Sequence, residues 1–170
     1  MKEIMEYNKL NKNNVRSRKS LPFNDYDDSA TINSMALMLE DITVNRGEIF
    51  KIPIKLSSLS LKGINLYEFK ISFDRDILVA QHVHSGDLVD LDNDLFIIVI
   101  KDNHIRIAIE SNNIIKENAV LAEVEFKVRE SALPGNTEIL LENKPFFNVI
   151  EDDVEVVRIE PVNPGIITIN

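Results

Sequence analysis

The chain has 170 residues, 44% of them hydrophobic and 28% charged, with a formal net charge of −9. That length suits one domain with a true core and is short for two, and the apolar and charged fractions are those of a folded chain. The lack of cysteine excludes a disulfide framework, a thiolate metal site and a cysteine nucleophile, while the acidic balance argues against nucleic acid or an anionic membrane as the main partner.

Residues 1–33 carry six basic and five acidic side chains and are rich in Asn, Lys, Ser and Asp, with no sustained apolar period. They read as a flexible N-terminal tail or linker, in which a short helix over "EIMEYNKL" is the one element that could form. Residues 34–170, read as the folded domain, then hold 13 basic against 23 acidic side chains, so this part would steer a basic or mixed-charge partner toward itself. No stretch reaches the ~18 consecutive apolar residues of a membrane span, and the N-terminus lacks the apolar run of a signal peptide. That leaves a cytoplasmic protein or a piece of a processed one.

From residue 35 the apolar pattern has period two. Leu37 and Leu39, then Ile42 and Val44, suggest a first strand interrupted at Glu40 and Asp41, after which "NRG" (45–47) turns the chain. Ile52, Ile54 and Leu56 line one side of a second strand, whose Pro53 fits best at a sheet edge. In "GINLYEFKISFD" (63–74), Tyr67, Phe69, Ile71 and Phe73 fall on one side, and Leu66, Glu68, Lys70 and Ser72 on the other. Core packing accounts for the first set; a water-facing side that begins with leucine and glutamate needs another reason.

"ILVAQHV" (77–83) and "LFIIVI" (95–100) follow. The second is apolar on both sides, so parity does not choose its outward face; Ile97 and Val99 are taken as outward, with Phe96, Ile98 and Ile100 as the alternative. In "HIRIAIE" (104–110) Ile105, Ile107 and Ile109 face in, leaving Arg106, Ala108 and Glu110 outside. "AVLAEVEFKV" (119–128) places Val120, Ala122, Val124, Phe126 and Val128 inward. An "ALPG" turn, then "TEILLE", "DVEVVRIE" and "GIITIN", complete the chain. Roughly nine short strands and no helix of three turns make an all-β, nine-stranded sandwich of jelly-roll type.

The order and spacing of these pieces resemble a cohesin domain. The matching features are a Gly-containing turn before "EIFKIPIKL", "GINLYEFKISFD" followed by "ILVAQHVHSGDLV", "AVLAEVEFKV" followed by "ALPG", and a terminal "GIITI", together spanning roughly residues 36–169. The resemblance implies a nine-stranded jelly roll that binds a dockerin, a small helical module holding two calcium ions, on one sheet face. It implies a non-catalytic interaction module, monomeric by itself and cofactor-free, with calcium held by the dockerin. The partner would be a dockerin-bearing polysaccharide-degrading enzyme or scaffoldin, and the location extracellular or cell-surface. The candidate partner-binding residues are Leu66, Glu68, Ile97, Val99, Arg106, Ala108 and Glu110, with Phe146 and Val149 from "NKPFFNVIEDD". Two departures stand out. Arg75 replaces the proline that commonly follows the third strand, and Leu66 and aliphatics replace polar residues that many dockerins contact, which favours a more apolar interface.

Other readings are weaker. Asp90, Asp92 and Asp94 have the spacing of a calcium loop, but Leu95 and Lys101 stand where such a loop needs Gly and Glu, so a solvated acidic turn is expected. His82 and His84 share one side of a strand without the further ligands of a metal site. No nucleophile elbow or phosphate loop supports an enzyme. The alternative function is a carbohydrate-binding module of similar fold, which would need exposed aromatic rings; the chain has no Trp and three Tyr, two of them before residue 34, and Phe146 and Phe147 are the one candidate platform.

Overall fold

The computed structural model describes residues 4–7, 34–58, 64–87, 89–115, 119–143, 146–150, 153–160 and 163–170. Strand β5 (Ile64–Phe73) pairs antiparallel with β8 (His104–Ile115), and β8 with β7 (Leu95–Ile100). Along the other side of β5 run β10 (Gly135–Asn143) and, further on, β11 (Phe146–Ile150). The second layer consists of β2 (Ser34–Met38), β4 (Ile49–Ser58), β9 (Ala119–Val128) and β6 (Leu78–Ser85), in that order. β12 (Asp153–Glu160) pairs antiparallel with β11 and parallel with β2, passing from one layer to the other. β3 (Ile42–Val44) runs parallel to β13 (Gly165–Ile169), which pairs with β10.

The alternating sequence sets this arrangement. Tyr67, Phe69, Ile71 and Phe73 of β5 and Ile105, Ile107 and Ile109 of β8 are buried against Phe50, Ile52, Ile54 and Leu56 of β4 and Val124, Phe126 and Val128 of β9. The rings of Phe73 and Phe126 meet edge to face at 5.1 Å, joining the layers at one end. Each such burial is worth about 1.5–3 kcal/mol. A one-residue slip of β5 would exchange Phe69 and Ile71 for Glu68 and Lys70, so the register is firmly specified.

Thirteen strands are described where about nine were expected, within the same all-β class. Part of the excess comes from the expected first strand, which divides into β2 and β3 on either side of residues 39–41 because its halves join different partners. β2 pairs with β4 and β3 with β13. Asp41 Oδ1 accepts the N–H of Ile166 at 2.8 Å, holding the crossing in place.

Pro53 lies in β4, which has strands on both sides, rather than in an edge strand. It is tolerated because pairing with β2 ends at Met38 opposite Lys55, so that side of β4 is locally open at Pro53. Val120 is not the inward residue expected: the pairing with β4 shifts between Ile54 and Lys55, leaving Leu121 as the extra residue of a β-bulge, and Leu121 is fully buried while Val120 is half-exposed. Gly86 fits against this bulge, donating its N–H to Leu121 O at 3.1 Å. Gly47, at φ +76, makes the turn between β3 and β4 and donates to Val128 O.

In the N-terminal part, where a tail with a short helix was expected, β1 (Ile4–Tyr7) is a strand antiparallel to β7. The eight residues of "EIMEYNKL" are too few to hold a helix unaided, whereas the edge of β7 supplies partners for an extended segment. The rest of the expected tail, residues 8–33, lies outside the described residues.

Candidate partner-binding face

The registers of β7, β8, β5, β10 and β11 align the outward side chains in rows. Ile97 lies opposite Ala108, and Ala108 opposite Glu68. On one side, Val99, Arg106, Lys70 and Glu142 form a second row. On the other, Leu95, Glu110, Leu66 and Phe147 form a third by register. Residues directly opposite in an antiparallel pair share a face, so seven of the expected residues, Leu66, Glu68, Ile97, Val99, Arg106, Ala108 and Glu110, lie on one surface. Burial separates the two sides of β7: Phe96 and Ile98 are 6% and 5% exposed and face the core, whereas Ile97 and Val99 are half-buried on the outward side.

Phe147 is the residue in register with Leu66, and Phe146 and Val149, three apart on β11, have opposite parity. By register it is Phe147 that lies opposite Leu66. Nothing local in "PFFNV" distinguishes the two phenylalanines. Leu95, Lys70 and Glu142 share these rows and were not among the expected residues, although the parity of β5 marks Lys70. Leu140, 45% exposed and opposite Ser72, extends the same surface.

The face is electrically divided. Lys70 Nζ pairs with Glu142 Oε1 at 2.9 Å, and Ser72 Oγ donates to the same oxygen at 3.2 Å. These bonds hold the Glu142 carboxyl below its usual range. The neighbouring His104 is lowered from the ordinary imidazole value, first by desolvation and then by the charges of Lys70, Arg106 and Lys101. Basic groups thus gather at this end, and the carboxylates Glu68 and Glu110 lie toward the other, with Ile97, Ala108, Leu66 and Leu95 between and beside them.

The alternative motifs have structural roles. Asp94 is 1% exposed and its carboxylate accepts the N–H of Asp90 at 2.9 Å, Ser111 Oγ at 2.9 Å and the N–H of Asn112 at 2.8 Å. It fastens the loop before β7 to β8. Asp90 accepts the N–H of Asp92 at 3.0 Å and Asn93 Nδ2 at 2.7 Å, and its carboxyl is lowered chiefly by the bond from Asn93. His82 and His84 are exposed on β6, opposite Glu125 and Glu123. Among the described residues no group of three or more His, Asp or Glu is placed to hold a metal ion.

The sequence model of the Cohesin domain matches residues 35–166. The chain belongs to the cohesin family. A curated relative, Cellulose-binding protein A of Clostridium cellulovorans, is 26% identical over 119 residues, 68% of this chain, and the chain spans only 6% of that relative's length. Among solved structures, the seventh ScaB type I cohesin from Pseudobacteroides cellulosolvens superposes with a TM-score of 0.72 at 20% identity, covering 80% of this chain and 92% of that one. The Coh-OlpA–Doc918 structure, a type I cohesin–dockerin complex from Clostridium thermocellum, gives 0.69 at 18% identity, over 81% and 100%. A non-cellulosomal cohesin from the archaeon Archaeoglobus fulgidus gives 0.68 at 19%, over 81% and 91%. At these identities the structures share the jelly-roll fold with this cohesin. The family boundary at residue 35 coincides with the onset of period-two patterning in the sequence.

Proposed function

We propose that this cohesin is a non-catalytic receptor that binds a dockerin-type module on the outward face of β7, β8 and β5. The observation that carries the reading is the apolar strip of Ile97, Ala108 and Leu66, with Arg106 and Lys70 in the row along one side and Glu68 and Glu110 set among its members. Such a strip can form the dry centre of an interface while the charges select and orient the partner. The partner would belong to a polysaccharide-degrading enzyme or a scaffoldin, and the assembly would act outside the cell or at its surface. Calcium, where required, would be held by the dockerin.

The test is calorimetric titration of the full chain with a panel of dockerins, in calcium and in EDTA, alongside Glu68→Ala and Ile97→Asp. One-to-one binding that disappears in EDTA and weakens at least about 100-fold in Ile97→Asp is expected for a central contact. Binding unaffected by Ile97→Asp would place the interface elsewhere. Heat from a polysaccharide panel, with none from any dockerin, would replace this reading with carbohydrate binding.

A further inference from the structure

The two outer edges of the sheet system are protected differently. At one end, β6 carries exposed His82 and His84 and a register shift against β9 between Ala80 and His82. Polar side chains and a bulge are recognised devices that discourage edge-to-edge pairing. At the other end β7 reads "LFIIVI", six apolar residues without charge, proline or bulge. Left open, such a strand is a template for another chain. Its open side is taken by β1, in the register Ile4 to Ile100, Met5 to Val99, Glu6 to Ile98 and Tyr7 to Ile97.

We propose that residues 4–7 are a built-in edge guard, a strand added in cis to β7 that closes the apolar end of the recognition sheet against self-association. The backbone geometry identifies the bonds involved. Lys101 donates its N–H to His104 O at 2.8 Å, and amide directions alternate along a strand, so the amides of Ile98 and Ile100 point away from β8 and toward β1. The pairs Glu6 with Ile98 and Ile4 with Ile100 are then the hydrogen-bonded ones. Glu6 is the register partner of Ile98, which is buried. β1 is the last strand in the order on this side, so the sheet ends on it and not on the apolar β7.

The 26 residues from 8 to 33 separate β1 from β2. At full extension they reach at most roughly 90 Å, ample for a domain with a radius of gyration of about 14 Å. A segment carried on the same chain meets β7 in a ratio that dilution does not change, unlike a second copy, which favours pairing within one chain.

Amide hydrogen exchange of the full chain, followed by NMR, tests the proposal independently of dockerin binding. The amides of Ile98 and Ile100 should be protected at low and high protein concentration alike. Glu6→Pro removes a donor that faces β7 and should speed their exchange at least about tenfold, with a concentration-dependent rise in sedimentation coefficient. Met5→Pro, whose lost N–H faces away from β7, should leave both protected. Ile98 and Ile100 amides that exchange as fast in the native chain as those of Asp102 and Asn103 would overturn the proposal. So would protection that grows with protein concentration, which means pairing in trans, or a Glu6→Pro chain that loses protection yet stays monomeric.

Discussion

Asp94 stands in an acidic run that, read along the chain, invites a calcium loop, yet in the fold its carboxylate is spent on three donors from the loop and β8. Removing one partner from a buried bonded group leaves the others desolvated and unmatched, at roughly 1–3 kcal/mol for neutral groups and more for charged ones. Asp94→Ala should therefore lower unfolding stability by about 3 kcal/mol, while exposed Asp92→Ala should stay within about 0.5 kcal/mol. Urea midpoints of the two variants check this, and equal effects would refute the staple. Glu142 offers a pH test. Its folded pKa is depressed by Lys70 and Ser72, so its stabilising contribution is present above the unfolded carboxylate value and lost as pH falls through the folded one. In carboxyl NMR titrations its midpoint should lie below the ordinary value of about 4.3 and rise in Lys70→Ala. An unmoved midpoint would show that the ion pair is not the cause.

At the scale of elements, bulges and registers decide what single strands leave open. The bulge at Leu121 brings the backbone of β9 against Gly86, where an added Cβ would lie 1.7 Å from Val120 O. Backbone cannot yield as a side-chain tip can, so Gly86→Ala should cost about 3 kcal/mol, the upper part of the usual overpacking range. Thermal unfolding measures it, and a near-neutral change would mean the bulge can shift. On the recognition face, Arg106 sits at the exposed basic end and Ile97 in the strip. Arg106→Glu should change the association rate and its salt dependence with a small effect on dissociation, whereas Ile97→Asp should act mainly through faster dissociation. Stopped-flow or surface kinetics against a bound dockerin separates the two, and a large off-rate effect from Arg106→Glu would move the charge from the rim to the centre. Parity in β5 and β8 made Leu66, Glu68, Arg106, Ala108 and Glu110 legible as one side each. β7 was not legible, because both of its sides are apolar and only the opposite layer determines which is covered.

For the whole molecule, the two layers are closed by strands distant in sequence: β12 joins them through β11 and β2, and β13 ties β10 to β3. Stability in this architecture rests on the shared apolar core, and no metal-holding cluster occurs among the described residues. The melting temperature of the free chain should thus be the same in calcium and in EDTA, while that of its complex with a dockerin should fall when calcium is removed. Differential scanning calorimetry distinguishes the cases, and a calcium-dependent rise for the free chain would reveal a cation site of its own.

Period-two alternation by itself determined the all-β class, the core-facing residues of β5 and β8 and the outward row of Leu66 and Glu68, because in an extended strand neighbouring side chains must point to opposite faces. Only the tertiary structure decided that Ile97 and Val99 face outward, that Phe147 and not Phe146 continues the row of Leu66, that Leu121 displaces Val120 from the core, and that residues 4–7 form a strand. Each of these depends on a partner strand far away in the chain, and pairing register is a property of two strands that neither carries alone.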